Sequence, residues 1–84
     1  MISKNFRVDI VGDLDYEDLV ADIYFKDQFV AMLTQEKGFE KLEIEIHPPK
    51  NQEKWLFKFS EFEEALQHAK LRLWKLRKLP EDHS

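Results

Sequence analysis

Cysteine is absent from this chain, and with it go disulfide frameworks, thiolate metal sites and cysteine nucleophiles. Glycine is almost absent too. Gly12 and Gly38 are the two present, and they cannot build the glycine-rich turn before a helix with which nucleotide sites cradle phosphate. No apolar run approaches the length needed to span a bilayer, and the first residues lack the basic and then long apolar pattern of a secretory leader. A reducing, cytoplasmic setting is therefore expected. The three histidines, His47, His68 and His83, have no metal-ligand spacing among them, and Glu43 with His47 falls on a strand rather than a helix turn. No serine is accompanied by a local acid and base. These absences lead to the expectation of a protein without catalytic, cofactor or metal residues, one that is not an enzyme.

What is present is enough for a small core. The 84 residues amount to one domain, 1–84, and a chain this short buries a modest share of its unfolded surface. Hydrophobic residues make up 43% of it, with seven Phe and two Trp giving large contact areas per residue. A net charge of −4 disfavours a general nucleic-acid binder, but the charge is unevenly spread. Asp9, Asp13, Asp15, Glu17, Asp18 and Asp22 follow one another with no Lys or Arg between them, whereas Lys70, Arg72, Lys75, Arg77 and Lys78 crowd the other end.

The apolar periodicity alternates between two and about 3.6 residues. Residues 6–11 alternate apolar and charged, with Phe6, Val8 and Ile10 inward. Residues 19–25 and 29–35 are two β-prone runs around a polar break, a tight hairpin with Lys26-Asp27 or Asp27-Gln28 at its tip. Strict alternation places Leu19, Ala21, Ile23 and Phe25 on one face with Val30, Met32 and Thr34, and leaves Val20, Asp22, Tyr24, Phe29, Ala31 and Leu33 on the other. Residues 42–47 are the cleanest alternation, ended by Pro48-Pro49, and residues 55–59 read as a fifth strand. Ser60 followed by Glu63 has the form of a capping box opening a helix over 61–79, with Phe62, Ala65, Leu66, Ala69, Leu73 and Leu76 as its apolar stripe and Pro80 as its stop. Residues 81–84 are a short polar tail. The expected fold class is α+β: an antiparallel meander sheet of four to five strands with one C-terminal helix packed on one face.

Such a sheet keeps one face without a helix, and the candidate binding residues gather there and on the acidic connector that leads into the hairpin. Asp13, Asp15, Glu17 and Asp18 have the spacing of a calcium-loop start, but the sixth position, where that loop needs glycine, is Asp18. Carboxylates grouped on a loop also imitate phosphates and fit a basic cleft on another protein. Asp13, Asp15, Glu17, Asp18 and Asp22 are the electrostatic candidates, and Tyr16, Tyr24 and Phe29 the apolar anchors. Two alternatives compete with this reading. One is a nucleic-acid or regulatory accessory domain using Lys70, Arg77 and Trp74; the other is a structural homodimer sealed by the uncovered face.

The run Asp15-Tyr16-Glu17-Asp18-Leu19-Val20-Ala21-Asp22-Ile23-Tyr24, then Phe29-Val30-Ala31, Gln35-Glu36 with Gly38, and Leu42-Glu43-Ile44-Glu45 resembles a family of small bacterial immunity proteins. Those proteins stand beside polymorphic toxins, including toxins carried by Rhs proteins or delivered by type VI secretion. The resemblance covers the chain from the acidic connector to the helix, with Lys26-Asp27 in place of the family's Asp-Gly turn. It implies a protein that binds a cognate toxin, such as an ADP-ribosyltransferase or nuclease, and blocks its active site.

Overall fold

Strands joined by short turns pair with their sequence neighbours, and here every strand does so. The computed structural model describes residues 2–12 and 16–77. In it β1 (Phe6–Val11), β2 (Val20–Phe25), β3 (Gln28–Thr34) and β4 (Glu43–Ile46) form one antiparallel sheet in the order β1-β2-β3-β4. A single helix, α1 (Phe59–Arg77), packs across β1 and β2. The expected α+β meander with a C-terminal helix is therefore the fold. Asp13, Asp15, Lys78, Pro80 and residues 81–84 lie outside the described residues, as does the side chain of Arg77.

The hairpin between β2 and β3 closes through two residues. Phe25 pairs with Gln28, leaving Lys26 and Asp27 at the tip with φ of 48° and 67°. Two successive positive φ values match the mirror-image turn that follows the right-handed twist of the flanking strands. Neither residue is glycine, so the tip is held from outside. The Lys26 amide donates to the Asn5 carbonyl at 2.8 Å, and Arg7 Nη1 reaches Asp27 Oδ1 at 2.7 Å.

Just beyond this turn the pairing slips by one residue. Tyr24 stands opposite Phe29, but the next pair is Ile23 with Ala31, so Val30 is an extra residue in β3. A bulge of this kind moves every later side chain to the opposite face. Ala31 and Leu33 thus join Ile23 and Ala21, whereas Met32 lies opposite Asp22 and Thr34 opposite Glu43. Strict alternation had placed Met32 and Thr34 beneath the helix and Ala31 and Leu33 away from it; the bulge exchanges the two sets. Tyr24 and Phe29 precede the slip and keep the face expected of them.

The core lies between α1 and the first two strands. Phe6, Val8, Ala21, Ile23, Leu33, Ala65, Ala69 and Leu73 form one buried cluster, flanked by Ile10, Phe25, Phe62 and Leu66. Ala65 and Ala69 are small enough to bring the helix close to the sheet, and Leu73 fills the space one turn on. Arg72 reaches over the outer edge of β1, where its Nη1 donates to the Val8 carbonyl at 2.9 Å. The helix begins at Phe59, ahead of Ser60, and the Phe62 amide bonds the Lys58 carbonyl at 3.1 Å. Ser60 therefore sits in the first turn and not at the cap.

No fifth strand forms over 55–59, because this segment roofs one end of the core instead of following a sheet edge. Phe57 meets Phe6, Phe25 and Phe62 with ring centroids 5.2, 4.9 and 5.0 Å away, and Trp55 stacks on Phe57. Trp55 Nε1 donates to the His47 carbonyl at 2.7 Å, tying the roof to the end of β4. Burying aromatic area at a core end here outweighs a short ladder of hydrogen bonds.

Leu73→Ala should destabilise the domain by about 2–5 kcal/mol, because it opens a cavity in the helix seat. Lys26→Asn, by relieving a left-handed backbone, should stabilise it by about 0.5 kcal/mol. Urea unfolding measures both, and a loss under about 1 kcal/mol for Leu73→Ala would contradict this seat.

Candidate functional site

The sheet face turned away from α1 is assembled from the outward positions of all four strands. Nearest the hairpin, Arg7, Tyr24 and Phe29 stand side by side on β1, β2 and β3, and His47 follows β4. They touch in sequence: the Arg7 guanidinium lies 4.3 Å from the Tyr24 ring centre, Tyr24 and Phe29 meet edge to face at 5.6 Å, and Phe29 meets the His47 ring at 4.9 Å. Each end of this row is anchored by a carboxylate. Arg7 bonds Asp27, and His47 Nε2 lies 2.6 Å from Glu45 Oε2. The contacts fix the ring orientations without burying them, since Tyr24 and Phe29 are only half-buried.

The next row is acidic. Asp9 on β1 stands directly opposite Asp22 on β2, Asp22 opposite Met32, and Met32 opposite Glu45. Like charges directly opposite each other weaken a strand pair. Arg7 Nε offsets part of that cost through a 3.3 Å contact with Asp9 Oδ2. Met32, at 7% exposure, is the buried centre around which the carboxylates are arranged.

The acidic connector joins this face at its far end. The Glu36 carboxylate accepts the Glu17 and Asp18 amides at 3.4 and 3.0 Å. Buried Gln35 donates its Nε2 to the Leu19 carbonyl at 2.8 Å. One side-chain acceptor, Glu36, and one side-chain donor, Gln35, thus bind the chain entering β2 to the end of β3. Tyr16 is thereby brought beside β4, where it lines a depression of about 540 Å³ with Thr34, Glu36, Glu43, Ile44 and Glu45.

Of the candidates drawn from the sequence, Tyr16, Glu17, Asp18, Asp22, Tyr24 and Phe29 fall on this face or its border. Asp13 and Asp15 are outside the described residues. The sequence reading missed Arg7, Asp9, Glu36, Glu45 and His47 as members of the same site. Their outward positions were visible in the alternation of β1 and β4, but which rows they shared depends on register. Trp74 lies elsewhere: it packs on Phe39 at 5.0 Å and remains 38% exposed, serving the fold and still presenting surface.

Among the described residues no group of three or more His, Asp or Glu is arranged to hold a metal ion, and no helix is long and apolar enough to cross a membrane. No family model, curated protein or solved structure matches this chain.

The titration of His68 is displaced from its ordinary value. Its pKa is lowered, first by partial burial and then by the neighbouring positive charges of Arg72 and Lys75. Glu63 and Glu64 line the same recess. A depressed folded pKa means that the unfolded chain takes up the proton first. Stability is then intact above the ordinary histidine value of about 6.5 and declines as pH falls through it. His68→Gln should flatten the fall in melting temperature between about pH 7.5 and 5.5. An unchanged slope would assign that fall to other groups.

Proposed function

We propose that this protein acts by occupying a basic surface on a protein partner, and that it serves as an immunity protein neutralising a cognate bacterial toxin. The observation that carries the first part is the composition of the sheet face turned away from α1. Tyr24 and Phe29 supply a rigid aromatic patch, and Asp9, Asp22, Glu45 and the Glu17-Asp18 connector frame it with negative charge. Aromatic anchors inside a charged rim are the usual anatomy of a specific protein contact. A cleft that handles RNA or a dinucleotide is lined with positive charge, so an acidic plug is steered to it quickly and rejects acidic bystanders.

The toxin assignment is supported by the resemblance of the segment 15–45 to immunity proteins, a resemblance that spans the connector, the hairpin and β4. On this reading the side chains transform no substrate. The connector and the aromatic row enter the toxin's active-site cleft, and the sheet behind them supplies rigidity. Little ordering entropy is lost on binding, because Arg7, His47 and Glu36 already hold the contact groups in place.

The test is to identify the gene adjoining the one for this chain and to express it alone and together with this chain. Growth arrest relieved by co-expression is the expected result. In the purified pair, Glu17→Lys with Asp22→Lys should slow association by roughly tenfold and lessen its salt dependence, with the fold intact by circular dichroism. No rescue by the native chain, or unchanged association of the double variant, would overturn the proposal.

A further inference from the structure

The helix packs on β1 and β2, the helix-facing Ala31 and Leu33 of β3 are buried beside them, and the same side of β4 stays open, which produces a trough between α1 and the last strand. Leu33, Leu42, Ile44 and Leu66 line one part of it. The trough continues past Gln67 and Lys70 into a wider groove of about 690 Å³ bounded by Phe39, Leu71 and Trp74. Ile44, Ile46, Leu71 and Trp74 are 40, 59, 51 and 38% exposed, unusually open for side chains of their size. Ile46 shares the side of Ile44 by alternation along β4.

β4 is also the last strand of the sheet, and among the described residues nothing pairs with its outer edge. The His47 amide points inward, bonding the Val30 carbonyl at 2.8 Å, so by alternation Ile44 and Ile46 turn their backbone N–H and C=O groups outward. The two sheet edges are therefore unequal. On β1 the outward carbonyl of Val8 is taken by Arg72, whereas β4 carries no such cover. An exposed edge beside an apolar trough is a template for one more strand.

We propose that β4 accepts an extended segment of a partner protein in which apolar and basic residues alternate. Paired with Ile44 and Ile46, its apolar side chains would enter the trough. Its alternate side chains would project to the other face beside Glu43 and Glu45, which stay 57 and 51% exposed despite their contacts with Lys37 and His47. A second copy of this chain fits the same edge poorly. Two antiparallel copies of β4 sharing the same faces set glutamate against glutamate in the registers that pair Ile44 with Ile44 or with Ile46, and directly opposed like charges destabilise a pair. Its trough lies on the opposite side of the sheet from Tyr24 and Phe29, and Glu45 is the residue that it shares with the contact face described above.

The probe is a short acetylated and amidated peptide of alternating valine and lysine, followed by NMR of the backbone amides. It should shift and protect Ile44 and Ile46, whereas the same peptide N-methylated at alternate amides should not bind. Glu43→Lys with Glu45→Lys should weaken the valine–lysine peptide by roughly tenfold, since two cross-strand charge pairs are lost, and favour a valine–glutamate peptide instead. Ile44→Pro should abolish binding while sparing the ladder to β3, because the lost N–H faces outward. The proposal is overturned by equal binding of the N-methylated peptide, by shifts centred on Tyr24 and Phe29, or by no binding of the unmethylated peptide. It is also overturned by a native dimer that Ile44→Pro converts to monomer. The peptide assay requires no toxin, so its failure leaves growth rescue to be judged separately.

Discussion

The seat of α1 on β1 and β2 governs the rest of this structure. Ala65 and Ala69 let the helix approach the sheet, and Leu73 locks it against Val8, Ala21 and Ile23. Seated on β1 and β2, the helix reaches far enough to bury Ala31 and Leu33 of β3 and leaves β4 exposed. Burial is dense at the helix seat, with Ala65, Ala69, Leu73, Ala21 and Ile23 all at 0% exposure, whereas every residue of β4 is exposed. The placement also distinguishes the edges: Arg72, carried by the helix, bonds the Val8 carbonyl on β1, and among the described residues β4 has no counterpart to it.

The bulge at Val30 decides what the two faces of β3 present. Without the extra residue Leu33 would leave the core cluster, and Met32 would face the helix in place of the acidic row. With it, an apolar centre lies beneath Asp22 and Glu45, and the aromatic pair Tyr24 and Phe29 remains beside it. The same insertion thus completes the core on one face and composes the candidate contact surface on the other. Bulges are common where a side chain must be re-aimed near a functional surface.

Charge on this molecule is arranged by row, and its overall sum says little about the surface. Asp9 and Asp22 oppose each other at a cost to the strand pair, with Arg7 as a shared neighbour of Asp9, Asp27 and Tyr24. Most of these ion pairs are exposed and contribute little to stability. Their effect is on orientation, since they hold aromatic rings and carboxylates in one geometry before any partner arrives.

Element order and most strand limits were legible in the sequence, because period-two and period-3.6 patterns follow from which side chains must leave water. Phe6 to Val11 and the stripe Phe62, Ala65, Leu66, Ala69 and Leu73 are local consequences of burial. The shared face of Tyr24 and Phe29 was legible from the same alternation. The inward turn of Leu33, the fate of Trp55 and Phe57 as a roof, and the union of Arg7, Tyr24, Phe29 and His47 in one row were decided by tertiary structure. Each depends on a register or a long-range contact, and alternation within a strand specifies which residues share a face only until one extra residue intervenes.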